Sequence, residues 1–164
     1  MVLLLSHHIL LFKFIAAVML LILFVKIIII SHSISMTCFW NAIMTSLTHK
    51  DYLLLNLNKK PSVNTFINAL KQKNIKATHV KWNNKNISKQ ELSEHFEAIK
   101  CYNTAKIHNG HLTSICDSFL LLLCHLLNIG IDHKFLNHPI TYRNVRNNRK
   151  ILMFKNNRGH FQKA

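Results

Sequence analysis

The stretch Phe119-Leu120-Leu121-Leu122-Leu123-Cys124-His125-Leu126-Leu127 decides the fold, because as a helix it is apolar on nearly every side. A helix of that kind is stable only when other elements cover it all round. Ser114 and Asp117 precede it with the spacing of a capping box, and Asn128-Ile129-Gly130 follows it as a stop signal. We therefore predict a central core helix, with Asp117 as a favourable charge at its N-terminus rather than a catalytic acid.

Short β-like runs follow the core helix and alternate with turn-forming residues. The runs are Ile129 to Phe135, Ile140 to Val145 and Ile151 to Phe154. The turns are Asn137-His138-Pro139, Arg146-Asn147-Asn148-Arg149 and Asn156-Asn157-Arg158-Gly159. This pattern predicts a β-meander and then a last strand that carries His160.

The segment before the core helix mixes helix and strand patterns. Ser62 to Lys73 is predicted as a helix, and Ala77 to Trp82 as a strand. Ser88 and Glu91 form a second capping box, which opens a helix with the apolar stripe Leu92, His95, Phe96 and Ile99. Together these elements predict one α/β (α+β) domain in which helices pack on a small, mostly antiparallel sheet.

Cys38 stands at the start of another predicted helix. Phe39, Ile43 and Leu47 follow at i, i+4 and i+8 spacing, so one face is apolar and Cys38 falls in the first turn. Unpaired N–H groups there favour a thiolate, which is the nucleophilic form of cysteine, and can hold an oxyanion. His160 near the end of the chain is an imidazole that would activate the thiol. The alternative is that Cys38 is a small buried hydrophobe of the core.

This order of elements resembles the ovarian-tumour-type (OTU) cysteine peptidases, a papain-like group that removes ubiquitin from proteins and includes small proteins of large DNA viruses. In that family the nucleophile lies in an Asp-Gly-x-Cys-aromatic motif that opens a helix, and the general base lies in a His-aromatic pair near the end. Cys38-Phe39-Trp40 is similar to the first motif and His160-Phe161 to the second. Gln162 falls where the family has the residue that orients the imidazole.

The resemblance covers about residues 35 to 162. It implies an OTU-like domain over residues 35–164, with Cys38, His160 and Gln162 as catalytic residues and ubiquitin or a ubiquitin-like protein as partner. The family's Asp and Gly are Ser35 and Met36 here, and its usual Asn or Asp after the histidine is Gln162. Two readings follow: an active deubiquitinase, and an inactive relative that keeps the scaffold.

The charge of the chain suggests a different function. Lys and Arg number 21 against 6 Asp and Glu, which gives a net charge of +15. Such a balance is typical of proteins that bind nucleic acid or anionic membranes. The basic residues are scattered, apart from the cluster Arg143, Arg146, Arg149 and Lys150 in a predicted turn. The alternative function is therefore a basic, non-enzymatic, membrane-anchored protein that binds nucleic acid or anionic membrane through non-specific affinity for phosphate.

The N-terminal segment, residues 1–34, is hydrophobic. Its run from Ile9 to Ile30 is apolar except for Lys13 and Lys26, and it is long enough to cross a bilayer as a helix. We therefore predict a single-pass membrane anchor with the domain facing the cytosol, in a host cell membrane or a virion if the protein is viral. Two alternatives stay open: Ile27 to Ile30 as a strand that leads into the cysteine loop, and Met36 as the true start.

Four cysteines, Cys38, Cys101, Cys116 and Cys124, show neither a CxxC pair nor the spacing of a disulfide scaffold. We expect reduced thiols. Cys101, His108, His111 and Cys116 supply four possible zinc ligands, but their spacing matches no common zinc finger. We expect no metal and no cofactor.

Overall fold

The computed structural model describes residues 18–23, 38–104, 113–157 and 160–164. The chain divides into two units, Met1–Ser35 and Met36–Ala164. In the first unit, residues 18–23 are helical and their side chains are exposed. The second unit begins one residue after the start that the sequence suggested for the domain.

The second unit contains both helices and strands. The helices are α1 (Cys38–Ser46), α2 (His49–Leu54), α3 (Val63–Gln72), α4 (Lys89–Lys100) and α5 (Thr113–Leu127). The strands are β1 (Val80–Trp82), β2 (Lys85–Asn86), β3 (Gly130–Phe135), β4 (His138–Asn144), β5 (Ile151–Asn157) and β6 (His160–Lys163). Ser62 caps α3 and Ser88 caps α4, each through its side-chain oxygen, as the sequence predicts.

One sheet of six strands runs in the order β2-β1-β4-β3-β5-β6. Its neighbours are antiparallel except β3 and β5, which are parallel. The mixed α/β class with a mostly antiparallel sheet is confirmed. The predicted meander is wrong, because β5 pairs with β3 rather than with β4. The Gly130 N–H bonds the Lys150 carbonyl and the Arg149 N–H bonds the Asn128 carbonyl, so the chain returns beside the start of β3.

Helix α5 is the core helix that the sequence predicts. Phe119 to Cys124 and Leu127 are all buried, and Asn128 ends the helix with a φ of 56°. The predicted capping box is wrong, because the helix begins at Thr113 and its first turn holds no acidic residue. Asp117 instead accepts a hydrogen bond of 2.5 Å from the Tyr142 hydroxyl of β4.

The predicted membrane anchor is also wrong. Over residues 18–23, 38–104, 113–157 and 160–164, the structure contains no helix that is long and apolar enough to cross a membrane. A span needs about 20 apolar residues in one helix, and the helical part described within the predicted run covers residues 18–23. The rest of that run, 9–17 and 24–30, lies outside the described residues, and so do both alternatives for Ile27 to Met36.

Candidate active site

Helix α1 places Cys38 against the edge of the sheet. Cys38 is half-buried at the first position of the helix. The next two side chains fix the helix in the core. Phe39 packs edge-on against Phe161 of β6 at 4.9 Å between ring centroids, and Trp40 packs against Phe119 of α5 at 4.7 Å. The thiol therefore lies where α1, β6 and the core helix meet.

A hydrogen bond joins Cys38 to the strand that carries His160. The Phe161 N–H donates to the Cys38 Sγ at 3.2 Å, across 123 positions of sequence. Within the described residues, β6 is an edge strand of the sheet, so its outward N–H groups have no neighbouring strand there. The Cys38 sulfur accepts a hydrogen bond from one of them, the Phe161 N–H. The donor nitrogen is two covalent bonds from the Cα of His160.

His160 and Gln162 flank Phe161 on β6 and are exposed, whereas Phe161 is buried. Side chains alternate along a strand, so His160 and Gln162 share the face opposite Phe161. The structure thus brings the backbone of all three predicted residues into one corner. The amide that follows His160 makes the hydrogen bond between the two elements.

Cysteine environments differ in a way that singles out Cys38. Burial raises the pKa of the Cys116 thiol, and the charges of Asp117 and Cys38 raise it further. Burial likewise raises the pKa of Cys124 in α5. A thiol with a raised pKa stays protonated and unreactive. Cys101 is exposed at the end of α4. Cys38 is therefore the cysteine that combines a helix start with a polar contact to β6.

A set of hydrogen-bonded polar side chains, which the sequence did not predict, joins α4, α5 and β4. Tyr142 donates to Asp117, and His95 bonds Ser118 through Nδ1 at 2.9 Å. Burial raises the pKa of Asp117 although the Tyr142 hydroxyl opposes that shift. Trp82 packs 5.9 Å from both Tyr142 and His95. The partners lie far apart in sequence, so no local pattern could have found them.

The basic cluster of the sequence is largely bound within the fold. Arg143 pairs with Asp132 at 2.5 Å, and Arg146 contacts His79. Arg149 and Lys150 both pair with Asp51, a carboxylate with no exposed surface. Asp132 and Asp51 therefore offset part of the charge of this cluster, which reduces its attraction for phosphate.

His133 of β3 is a buried histidine beneath β6. Its side chain lies 5.0 Å from the Phe161 ring, and neither ring nitrogen has a hydrogen-bond partner within the part of the chain that the structure describes. Burial lowers the pKa of His133. The neutral form is therefore favoured in the folded protein, at the cost of two unpaired polar atoms.

Replacing His133 with leucine is expected to raise the free energy of unfolding by about 1 to 2 kcal/mol, because it removes buried polar atoms that have no partner. The variant is also expected to lose less stability between pH 7.5 and 5.5. Since its folded pKa is lowered, His133 reduces stability as pH falls below the unfolded value of 6.5. Urea denaturation at both pH values measures this.

His138→Leu is the matched control, because His138 is exposed on β4. The pH dependence does not vanish in the His133 variant, since burial also lowers the pKa of His95 and His125. A His133→Leu protein that is less stable than the wild type at both pH values would contradict the argument.

The four residues of the possible zinc series are only partly described. His108 and His111 lie outside the described residues, and the described ranges hold no group of three or more His, Cys, Asp or Glu side chains placed to bind a metal.

Comparison of the chain with protein-family models, with curated proteins and with solved structures finds no match.

Proposed function

We propose that this protein is an OTU-like cysteine peptidase that acts on the C-terminal tail of ubiquitin or a ubiquitin-like protein. The observation that carries the proposal is the Phe161 N–H to Cys38 Sγ hydrogen bond. It joins a cysteine at a helix start to the strand of a His-aromatic pair, and those are the two ends of the resemblance. Along the chain, α5 lies between these two motifs, as the long apolar helix does in the resemblance, and this order supports the same family.

In this mechanism Cys38 attacks the carbonyl carbon at the end of the ubiquitin tail. The N–H groups at the start of α1 hold the oxyanion. His160 takes the thiol proton and returns it to the leaving amine, which is the lysine amine of an isopeptide bond or the amine of a peptide bond. Water then releases the acyl group from sulfur, and His160 accepts the proton of that water. Gln162 accepts an N–H from the imidazole through its side-chain oxygen and orients the ring.

The backbone contact has a part in this cycle. The Phe161 amide holds the sulfur beside β6, so the nucleophile stays within one residue of the proposed base. Because the sulfur is half-buried and His160 is exposed, substrate reaches the pair from the solvent face of β6.

A basic binding protein is the second candidate function. The net charge of +15 favours it. The pairing of Arg143, Arg149 and Lys150 with two carboxylates weighs against it, because it offsets part of the most concentrated positive charge. We therefore place this function second.

The test is labelling of the full chain with ubiquitin that carries a C-terminal electrophile. We expect an adduct that Cys38→Ala abolishes. His160→Ala is expected to slow labelling by about 100-fold or more, the usual contribution of a general base. Gln162→Ala is expected to slow it less, because the imidazole stays in place. Mass spectrometry of the intact protein follows the adduct over time.

Cys101→Ala is the matched control, since it removes an exposed thiol at the end of α4 and leaves the proposed site intact. Circular dichroism shows whether each variant folds. An adduct that survives Cys38→Ala would contradict the proposed nucleophile. Folded wild-type protein that forms no adduct would favour the inactive relative, and nucleic-acid binding would then be measured in a salt titration.

A further inference from the structure

An apolar groove lies between α2 and the C-terminal end of α5, among residues that the proposed active site does not use. Its volume is about 490 Å³, which falls within the range of small-molecule sites. Leu53, Leu54, Leu126 and Leu127 line it, with Lys50 and Arg149 at its rim. Leu53 and Leu54 are 47% and 51% exposed, although both are large apolar side chains. Two neighbouring exposed leucines beside a groove indicate a surface that gains from being covered.

The rim of this groove has an excess of positive charge. Lys50 and Arg149 are both among its described lining residues, and no carboxylate is among them. The buried Asp51 pairs with Arg149 from outside this lining, so the Lys50 ammonium is the charge that no carboxylate of the lining offsets. An anionic group at the rim would therefore be attracted rather than repelled.

Two side chains at the rim also have hydrogen-bond donors without a partner among the described residues. Arg149 donates from Nε and Nη2 to the Leu127 carbonyl and from Nη2 to Asp51. Its Nη1 has no hydrogen-bond partner among the described residues, and neither has the Lys50 ammonium. A guanidinium whose Nε and Nη2 are fixed presents Nη1 in a defined direction. The fixed Arg149 Nη1 and the exposed Lys50 ammonium can donate to the two oxygens of one carboxylate.

We propose that this groove binds a single-chain aliphatic carboxylate, that is, a free fatty acid. The four leucines bury the hydrocarbon chain, and Lys50 with Nη1 of Arg149 bind the carboxylate. The size of the groove favours a small ligand over a folded partner, since a stable protein interface needs about 800 Å² on each side. None of its described lining residues belongs to α1 or β6, and the proposal does not depend on the proposed peptidase activity.

Titration of the full chain with dodecanoate below its micelle concentration tests the proposal, with dodecanol as a ligand of equal chain length and no charge. Isothermal calorimetry measures both affinities. We expect dodecanoate to bind at least 10-fold more tightly than dodecanol. Lys50→Glu is expected to weaken dodecanoate binding at least 10-fold and to leave dodecanol unchanged, while Leu54→Asp abolishes binding of both.

Lys85→Glu is the control for charge, because it makes the same change of charge at an exposed position on β2. Retained dodecanoate binding in this variant supports the proposal. Equal weakening by Lys85→Glu and Lys50→Glu would overturn it, since binding would then follow net charge alone. Unchanged binding by Leu54→Asp would also overturn it, because the hydrocarbon chain would lie elsewhere. Leu53→Asp repeats that test independently, and circular dichroism checks the fold of each variant.

Discussion

Replacing Asp51 with asparagine is expected to lower the free energy of unfolding by about 3 kcal/mol, the lower end of the cost of breaking a buried ion pair. Asp51 accepts from the Thr48 N–H and hydroxyl at 2.7 Å each and from Arg149 at 2.9 Å, and it also pairs with Lys150. An asparagine amide would aim N–H groups at one of these cations. The change therefore removes an attraction and adds a repulsion.

The consequences of this substitution reach beyond α2. Arg149 also bonds the Leu127 carbonyl at the end of α5, so Asp51 helps to tie α2 to the core helix and to the start of β5. Burial alone would raise the pKa of Asp51, but hydrogen bonds from Lys150, the Thr48 N–H and Arg149 outweigh it and hold that pKa well below its usual range. Since the folded pKa is lowered, this stability is present above the unfolded value of 3.8 and is lost as pH falls below it.

Urea denaturation at pH 7 measures the effect, and repeating it toward pH 3 should make the wild type approach the Asp51→Asn variant. Asp132→Asn is the matched control, because Asp132 pairs with Arg143 while its own side chain is 36% exposed. An exposed pair contributes about 1 kcal/mol or less. Equal losses in the two variants would show that burial of Asp51 is not what makes its ion pairs important.

Replacing Phe161 with alanine is expected to cost about 3 to 5 kcal/mol of stability, as for other buried phenylalanines. The Phe161 ring is 5% exposed and packs 4.9 Å from the rings of Phe39 and Phe154. Among the described strands β6 pairs with β5 alone, so the Phe161 ring and the Cys38 contact add its links to the rest of the core. Differential scanning calorimetry measures the loss.

The same substitution should slow labelling of Cys38 by the ubiquitin electrophile, because the amide that positions the sulfur is no longer held in place. Phe161→Leu is the matched control. It keeps most of the apolar volume, and it is expected to cost about 1.5 kcal/mol or less and to preserve labelling. If Phe161→Ala lost stability but labelled at the wild-type rate, the backbone contact would have no part in positioning Cys38.

Local patterns predicted the elements of this fold well. The apolar run of α5, the Ser88 and Glu91 capping box and the stripe that begins at Phe39 all appear as predicted, since each depends on residues within a few turns. Two short elements, α2 and β2, were not predicted, and the predicted start of α5 was wrong. Ser114 and Asp117 have the spacing of a capping box, but Asp117 bonds Tyr142, which is 25 positions away.

Predictions for the candidate site divide in the same way. Cys38 at a helix start and His160 on a strand follow from local sequence, and the structure places both so. Their approach depends on the Phe161 amide, which is a backbone group and leaves no trace in the residue pattern. The proposed catalytic roles of Cys38, His160 and Gln162 stay predictions that the labelling experiment tests.

The sequence by itself determined most of the helices and strands of the second unit, where a thiol meets a helix start, and that the chain is strongly basic. Only the tertiary structure decided that β5 joins β3, that Asp51 gathers Arg149 and Lys150, and that β6 meets Cys38. Secondary structure follows periodicity and capping within a few residues, which can be read along the chain. Strand order and buried ion pairs join residues as far as 99 positions apart. Which strand order and which ion pairs form depends on the relative free energies of all the packings that could bury the same apolar surface.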